Sequence, residues 1–120
     1  MKIENIKFKA KRLDGKGWAI GDLLHSYENG AIIIPIEGGD AFSVDPSTVC
    51  RFTGQKDYDG KDLYEGDIIS FSDSENLIIW EDNLCAFVLV GIETHSYYVH
   101  CDILNTFPFY IIGNKFDKEK

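Results

Sequence analysis

Hydrophobic and basic residues alternate with period two in Ile6-Lys7-Phe8-Lys9-Ala10-Lys11, which predicts a half-buried strand with Lys7, Lys9 and Lys11 on its wet face. Asp14-Gly15-Lys16-Gly17 reads as a turn, and Trp18–Leu24 as the returning strand. Asn29-Gly30 then separates the apolar runs Leu23–Tyr27 and Ala31–Ile36, a pattern that predicts a tight hairpin with both central residues at positive φ. The first third of the chain is therefore expected to be an antiparallel meander of three strands. Ile32-Ile33-Ile34-Pro35-Ile36 offers isoleucine to both faces, and Pro35 removes a ladder donor, as at a sheet edge or strand end. Glu37–Ser43 reads as a loop. Asp45-Pro46-Ser47-Thr48 reads as one helical turn with Asp45 as its cap, ahead of a short strand over Val49–Phe52.

Beyond Gly66 the pattern predicts strands at Asp67–Phe71, Leu77–Glu81, Cys85–Val90, Tyr97–Ile103 and Phe107–Asn114. Several are apolar on both faces, as in Phe87-Val88-Leu89-Val90 and Tyr110-Ile111-Ile112. A small barrel buries only its interior, so the outer apolar face calls for a cover, either the amino-terminal meander or another copy of the chain. No helical period is sustained over a dozen residues. The expected class is all-β.

Composition changes this picture little. A chain of 120 residues with 44% hydrophobic content can bury a core without metal or disulfide staples. Without an amino-terminal apolar segment or an apolar run near membrane-spanning length, the expectation is a protein neither secreted nor membrane-embedded. Cys50, Cys85 and Cys101 are an odd set without close spacing, so the expected compartment is a reducing cytoplasm.

Charge placement is more informative than the net −8. Residues 1–12 carry Lys2, Lys7, Lys9, Lys11 and Arg12 against Glu4, whereas residues 57–102 carry eleven acidic side chains against Lys61. The second half would repel a phosphate backbone. Lys7, Lys9, Lys11 and Arg12 offer a basic ridge to nucleic acid. The strand itself has no aromatic interleaved on that face, so a solvated edge is the preferred reading.

The densest stretch is Thr53–Phe71, with five acidic side chains and two tyrosines in nineteen residues. Calcium is its obvious chemical alternative, but neither loop register fits. With Gly60 as the required glycine, Gln55 and Gly66 occupy the first and last ligand positions. Starting at Asp57 puts Ile68 at the bidentate position.

Thr53-Gly54, followed by Asp57-x-Asp59-Gly60-Lys61-x-x-Tyr64-Glu65-Gly66-Asp67-Ile68, resembles the YopX family of phage and prophage proteins. The resemblance runs through nearly the whole chain. Ile6–Ala10 and Trp18–Leu24 look like the family's first two strands, Val44-Asp45-Pro46-x-Thr48-Val49 precedes the Thr-Gly pair, and Ile111-Ile112-Gly113-Asn114 looks like its closing motif. Gln55 departs from the small apolar residue common at its position, and the tail after Asn114 is shorter than in many members. The resemblance implies a carboxy-terminal SH3-like β-barrel and a phage or prophage origin, and no activity. The expected layout is a meander extension over residues 1–50 packed on a barrel over 51–120.

Other constellations are weak. His95, His100 and Cys101 lack the spacing of zinc ligands, and His95 and Cys101 would share a strand face with His100 opposite. A Cys101 nucleophile would need His25 or His95 beside it and a feature to lower its pKa. Glu65 and Asp67 share a face without a cleft, and Gly38-Gly39-Asp40 lacks the helix and lysine of a phosphate loop. The expectation is a non-catalytic protein without cofactor or metal, working by protein–protein contact. Self-association is its leading partnership, a phage or host protein another, and no membrane is involved. Tyr58 and Tyr64 are the expected contact residues. The alternative is a nucleic-acid accessory protein using Lys7, Lys9, Lys11 and Arg12, in either case in the bacterial host's cytoplasm.

Overall fold

In the computed structural model, which describes residues 2–71, 73–92, 98–105 and 107–117, the amino-terminal alternation forms strand β1, Phe8–Lys11. It pairs antiparallel with β2, Trp18–His25, which pairs with β3, Ala31–Pro35, and that in turn with β4, Phe42–Val44. The other side of β1 pairs with the start of β5, Cys50–Lys56. The expected meander is present. It gains a fourth strand from residues expected to be loop, because Phe42 and Val44 alternate inward beside Ile33 and Ala31.

The hairpin loop differs from the expected two-residue turn. His25 pairs with Ala31, so residues 26–30 form a longer loop containing a 3-10 turn, Tyr27–Asn29. Positive φ falls on Glu28 (59°) and Asn29 (66°), while Gly30 is at −83°. Pro35 ends β3, where its missing N–H costs least. Asp45 caps the 3-10 turn Pro46–Thr48 as expected, its Oδ1 accepting from Ser47 N at 3.0 Å.

The chain divides into two compact units, Met1–Phe52 and Thr53–Lys120. The core of the first is built on Ala10, Ala19, Ala31, Ile33 and Val44, with Phe8, Leu23, Phe42 and Val49 against it. Small residues are needed there because the backbones approach closely. A Cβ on Gly21 would lie 2.0 Å from the Ile34 carbonyl oxygen. Arg12 bridges Val44, with Leu13 N donating to Ser43 O and Asp45 N to Lys11 O. This curls β4 toward the end of β1 without completing a closed ladder.

The second unit contains the end of β5, β6 (Asp62–Tyr64) beside it, and an antiparallel sheet of β7 (Asp67–Phe71), β8 (Ser74–Glu81), β9 (Ala86–Gly91), β10 (Tyr98–His100) and β11 (Tyr110–Asn114). The order is β10-β9-β8-β7-β11, and among the described residues neither sheet closes. The expected strand Tyr97–Ile103 is shortened: residue 97 lies outside the described residues, and Cys101–Asn105 is a 3-10 turn. Leu63, Ile69, Ile78, Leu89, Cys101, Leu104 and Phe109 make the core. On the other face Ile68, Leu77, Ile79 and Val90 are half-buried, as the two-faced apolar pattern requires. In β11 the register skips Ile112, a bulge that leaves its side chain half-exposed.

The described residues contain no α-helix, and none of their helices is long and apolar enough to cross a membrane. The protein is all-β.

Candidate functional site

The acidic stretch singled out by its density is a clamp. Asp57 is buried, and its Oδ1 accepts from Asp59 N (2.9 Å) and Lys61 N (2.8 Å) while its Oδ2 accepts from Ile111 N (3.0 Å). One carboxylate thus shapes the Asp59-Gly60 turn and ties it to β11. Asp67, 1% exposed, does the same at the other end of the stretch. Its Oδ2 accepts from Tyr64 N (2.8 Å) and its Oδ1 from Asn114 Nδ2 (2.9 Å), and Asn114 Oδ1 accepts from Phe116 N. Carboxylates committed to backbone amides in this way stabilise loops and hold few lone pairs for a cation. Among the described residues, no group of three or more His, Cys, Asp or Glu side chains converges as a metal would need. His95 lies outside the described residues.

The clamp places Tyr58. Its N–H donates to Phe109 O (3.0 Å), and its ring meets Tyr110 edge-to-face, centroids 5.7 Å apart. Tyr58 is 72% exposed. Tyr64, expected beside it as a contact residue, is 3% exposed and belongs to the interior, because the Asp67 carboxylate holds its backbone inward. Phe107 (58% exposed) and Tyr110 (42%) take its place at the surface. Phe107 packs edge-to-face on Phe71 and shares with Tyr58 a cleft of about 380 Å³. Leu104 and Phe109, both buried, line it below, and Lys56 lines it with its ammonium paired to Asp62. The signal for Phe107 and Tyr110 was present in Phe107-Pro108-Phe109-Tyr110, an aromatic run around a proline, but a strand assignment over those residues hid it.

A second cleft, of about 340 Å³, is lined by Trp80, Phe87, Cys85, Cys101 and Asp102, and shares Asn105 with the first. Burial, and after it the Asp102 charge, pushes the Cys101 thiol up to about 12. An activated nucleophile needs the opposite shift. His25 ends β2 at the surface of the first unit.

The basic ridge carries more aromatic surface than its own strand suggested. Lys9 Nζ and Lys11 Nζ lie 4.5 and 4.8 Å from the Trp18 ring centroid, Lys7 Nζ lies 4.5 Å from that of Phe52, and the Arg12 guanidinium 4.1 Å from that of Phe42. The rings come from β2, β5 and β4, brought alongside by pairing such as Lys11 with Trp18. Such contacts contribute roughly 0.5–1 kcal/mol each at exposed sites. Arg12 also pairs with Asp14 (2.6 Å), and that hydrogen bond holds the Asp14 carboxyl below its usual range.

The family model described as YopX protein matches residues 7–119. The chain belongs to the YopX family. The match takes in the ridge, both buried carboxylates and the aromatic cleft, so these are features of the family domain as this chain builds it. No curated protein matches the chain.

Proposed function

We propose that this member of the family is a non-catalytic protein–protein contact module of a phage or prophage, acting in the bacterial cytoplasm and associating with itself. The observation that carries this reading is the set of exposed rings at one surface: Tyr58 and Phe107 line one cleft, Tyr110 packs edge-to-face on Tyr58, and the buried Asp57 ties the Tyr58 turn to the strand that carries Tyr110. Tyrosine and phenylalanine fixed by packing present large contact area at low conformational cost, which is the composition of interface anchors. We also read the second unit as an SH3-like barrel. The order β10-β9-β8-β7-β11, with a 3-10 turn before the returning strand, supports that architecture.

Light scattering at micromolar concentration tests the self-association. The expected result is an oligomer for the wild type and a monomer for Tyr58→Ala. A strictly monomeric wild type removes self-association from the reading.

The alternative, a nucleic-acid accessory role for Lys7, Lys9, Lys11 and Arg12, is favoured by the rings of Trp18 and Phe52 on the lysine face. It predicts single-strand binding by fluorescence anisotropy that weakens steeply with salt. Absence of binding at low salt eliminates it.

A further inference from the structure

The first unit carries an apolar face that its own core does not use. On β2, Ile20 and Leu24 are 49% and 47% exposed, on the side opposite the buried Ala19 and Gly21. The strand register sets Ile20 beside Lys9, and Asp22 and Leu24 beside Ile34 and Ile32, both half-buried. Lys9 and Lys11 lie over the Trp18 ring on this same side, so the basic ridge borders an aliphatic patch. Asp22 is the single acid in the rows so paired. A nucleic-acid strand would find cations here, but isoleucine and leucine offer no ring on which its bases could stack. Aliphatic side chains bordered by lysines suit instead a protein surface whose apolar groups are rimmed by acids.

The second unit has a surface of that description. Residues 53–120 carry thirteen acidic side chains against five basic, whereas residues 1–52 carry seven of each, so the net −8 resides in this unit. Tyr110 pairs with Ser70, and Ser70 with Glu75, so the exposed Glu75 shares a row and a face with the Tyr110 ring. Asp73 is exposed in the turn between β7 and β8, and Asp59 is exposed next to Tyr58, whose ring meets Tyr110. Two copies of this surface brought together about a two-fold axis would set acids against acids, at a cost that the lysine-bordered face of another copy avoids. We propose that the protein associates head to tail, the Lys9/Lys11 and Ile20/Leu24 face of one copy docking on the Tyr58/Tyr110 surface of the next. This rests on the reading of self-association through Tyr58 and supplies the other half of the contact. Because the two surfaces differ, each copy offers one of each kind, and assembly closes into a ring or continues as a filament instead of stopping at a two-fold dimer.

The test mixes two variants of the full chain, Leu24→Glu on one face and Tyr58→Ala on the other, and follows mass by light scattering. Each variant alone is expected to be a monomer, its association weakened at least about tenfold. An equimolar mixture is expected to form a dimer of one copy of each and nothing larger, because every variant retains the one surface its counterpart needs. The dimer should weaken as salt is added. Circular dichroism reports whether each variant is folded, and Lys9→Glu replaces Leu24→Glu if that one is not. A folded Leu24→Glu that keeps the wild-type mass, or a mixture that stays monomeric, would overturn the head-to-tail contact. So would binding of oligothymidylate or of phosphatidylserine vesicles that Leu24→Glu abolishes in the absence of a mixed dimer, since the face would then belong to that occupant. If the wild type associates and Tyr58→Ala alone prevents it, the self-association reading stands and only this arrangement fails; a strictly monomeric wild type removes both.

Discussion

The first unit buries alanine, isoleucine and valine around a glycine, whereas the second buries larger side chains and three polar ones, Asp57, Asp67 and Asn114. Its closest polar counterpart in the first is Thr48, whose Oγ1 accepts from Lys11 N and donates to Asp45 O. Both units are antiparallel sheet, yet they solve different problems. Where strands follow one another through short turns, ladder bonds satisfy the backbone and the core has only to be small enough for close approach. Where the chain turns at 57–61 and again at 65–66, on either side of the short strand β6, the ladder is interrupted. Buried carboxylates supply the acceptors instead, one oxygen to each side of a junction.

This contrast sets the order of expected effects. Replacing Asp67 should cost most. Asp67→Ala leaves Tyr64 N and Asn114 Nδ2 as buried donors without that acceptor, and urea unfolding should show a loss of about 3–5 kcal/mol. Asp67→Asn should lose nearly as much, since its new NH2 must face one of those two donors. A near-neutral Asn variant would show that shape, rather than acceptor count, holds the junction.

In the first unit the sensitive point is space. Gly21→Ala puts a methyl against the Ile34 carbonyl, and the ladder between β2 and β3 must shift; a loss of about 3 kcal/mol is expected in the same assay. If the change is tolerated, the first unit is looser than its buried alanines imply.

The Cys101 thiol gives the second unit a pH dependence. An unfolded cysteine loses its proton near 9.0, while the buried one keeps it to about 12. Between those values the folded state binds the extra proton, so stability is fully present below about 9 and falls as pH rises through that window. From pH 9 to 11 the wild type should lose about 2–3 kcal/mol more than Cys101→Val. Parallel curves for the two proteins would mean that the thiol is more open than its burial indicates. The smallest effect expected is that of Asp45→Ala, which removes the cap of a single 3-10 turn in the first unit and should cost about 1 kcal/mol in the urea assay.

Much of the first unit was legible because its instructions are local. The alternation in Phe8–Lys11, the Asp45-Pro46 cap and the terminal position of Pro35 each act within a few residues, and each is found. Apart from the Asn29-Gly30 turn, a local signal whose loop proved longer, the misreadings came where a residue's role depends on a distant partner. Tyr64 was expected at the surface beside Tyr58, and Asp67, 1% exposed, draws it inside. The lysine face showed no aromatic in its own strand, and Trp18, Phe52 and Phe42 reach it from three others.

By itself the sequence determined the all-β class, the family and the conspicuous stretch Thr53–Phe71, because periodicity, turn chemistry and spaced glycines and carboxylates are properties of neighbours along the chain. Only the tertiary structure decided what the stretch does. Asp57 accepts from Ile111 N, 54 residues away, and Asp67 from Asn114 Nδ2, 47 away, so two buried carboxylates tie the stretch to the closing strand. Their placement put Tyr58 beside Tyr110 and Phe107, since a site assembled across a sheet has no local period to announce it.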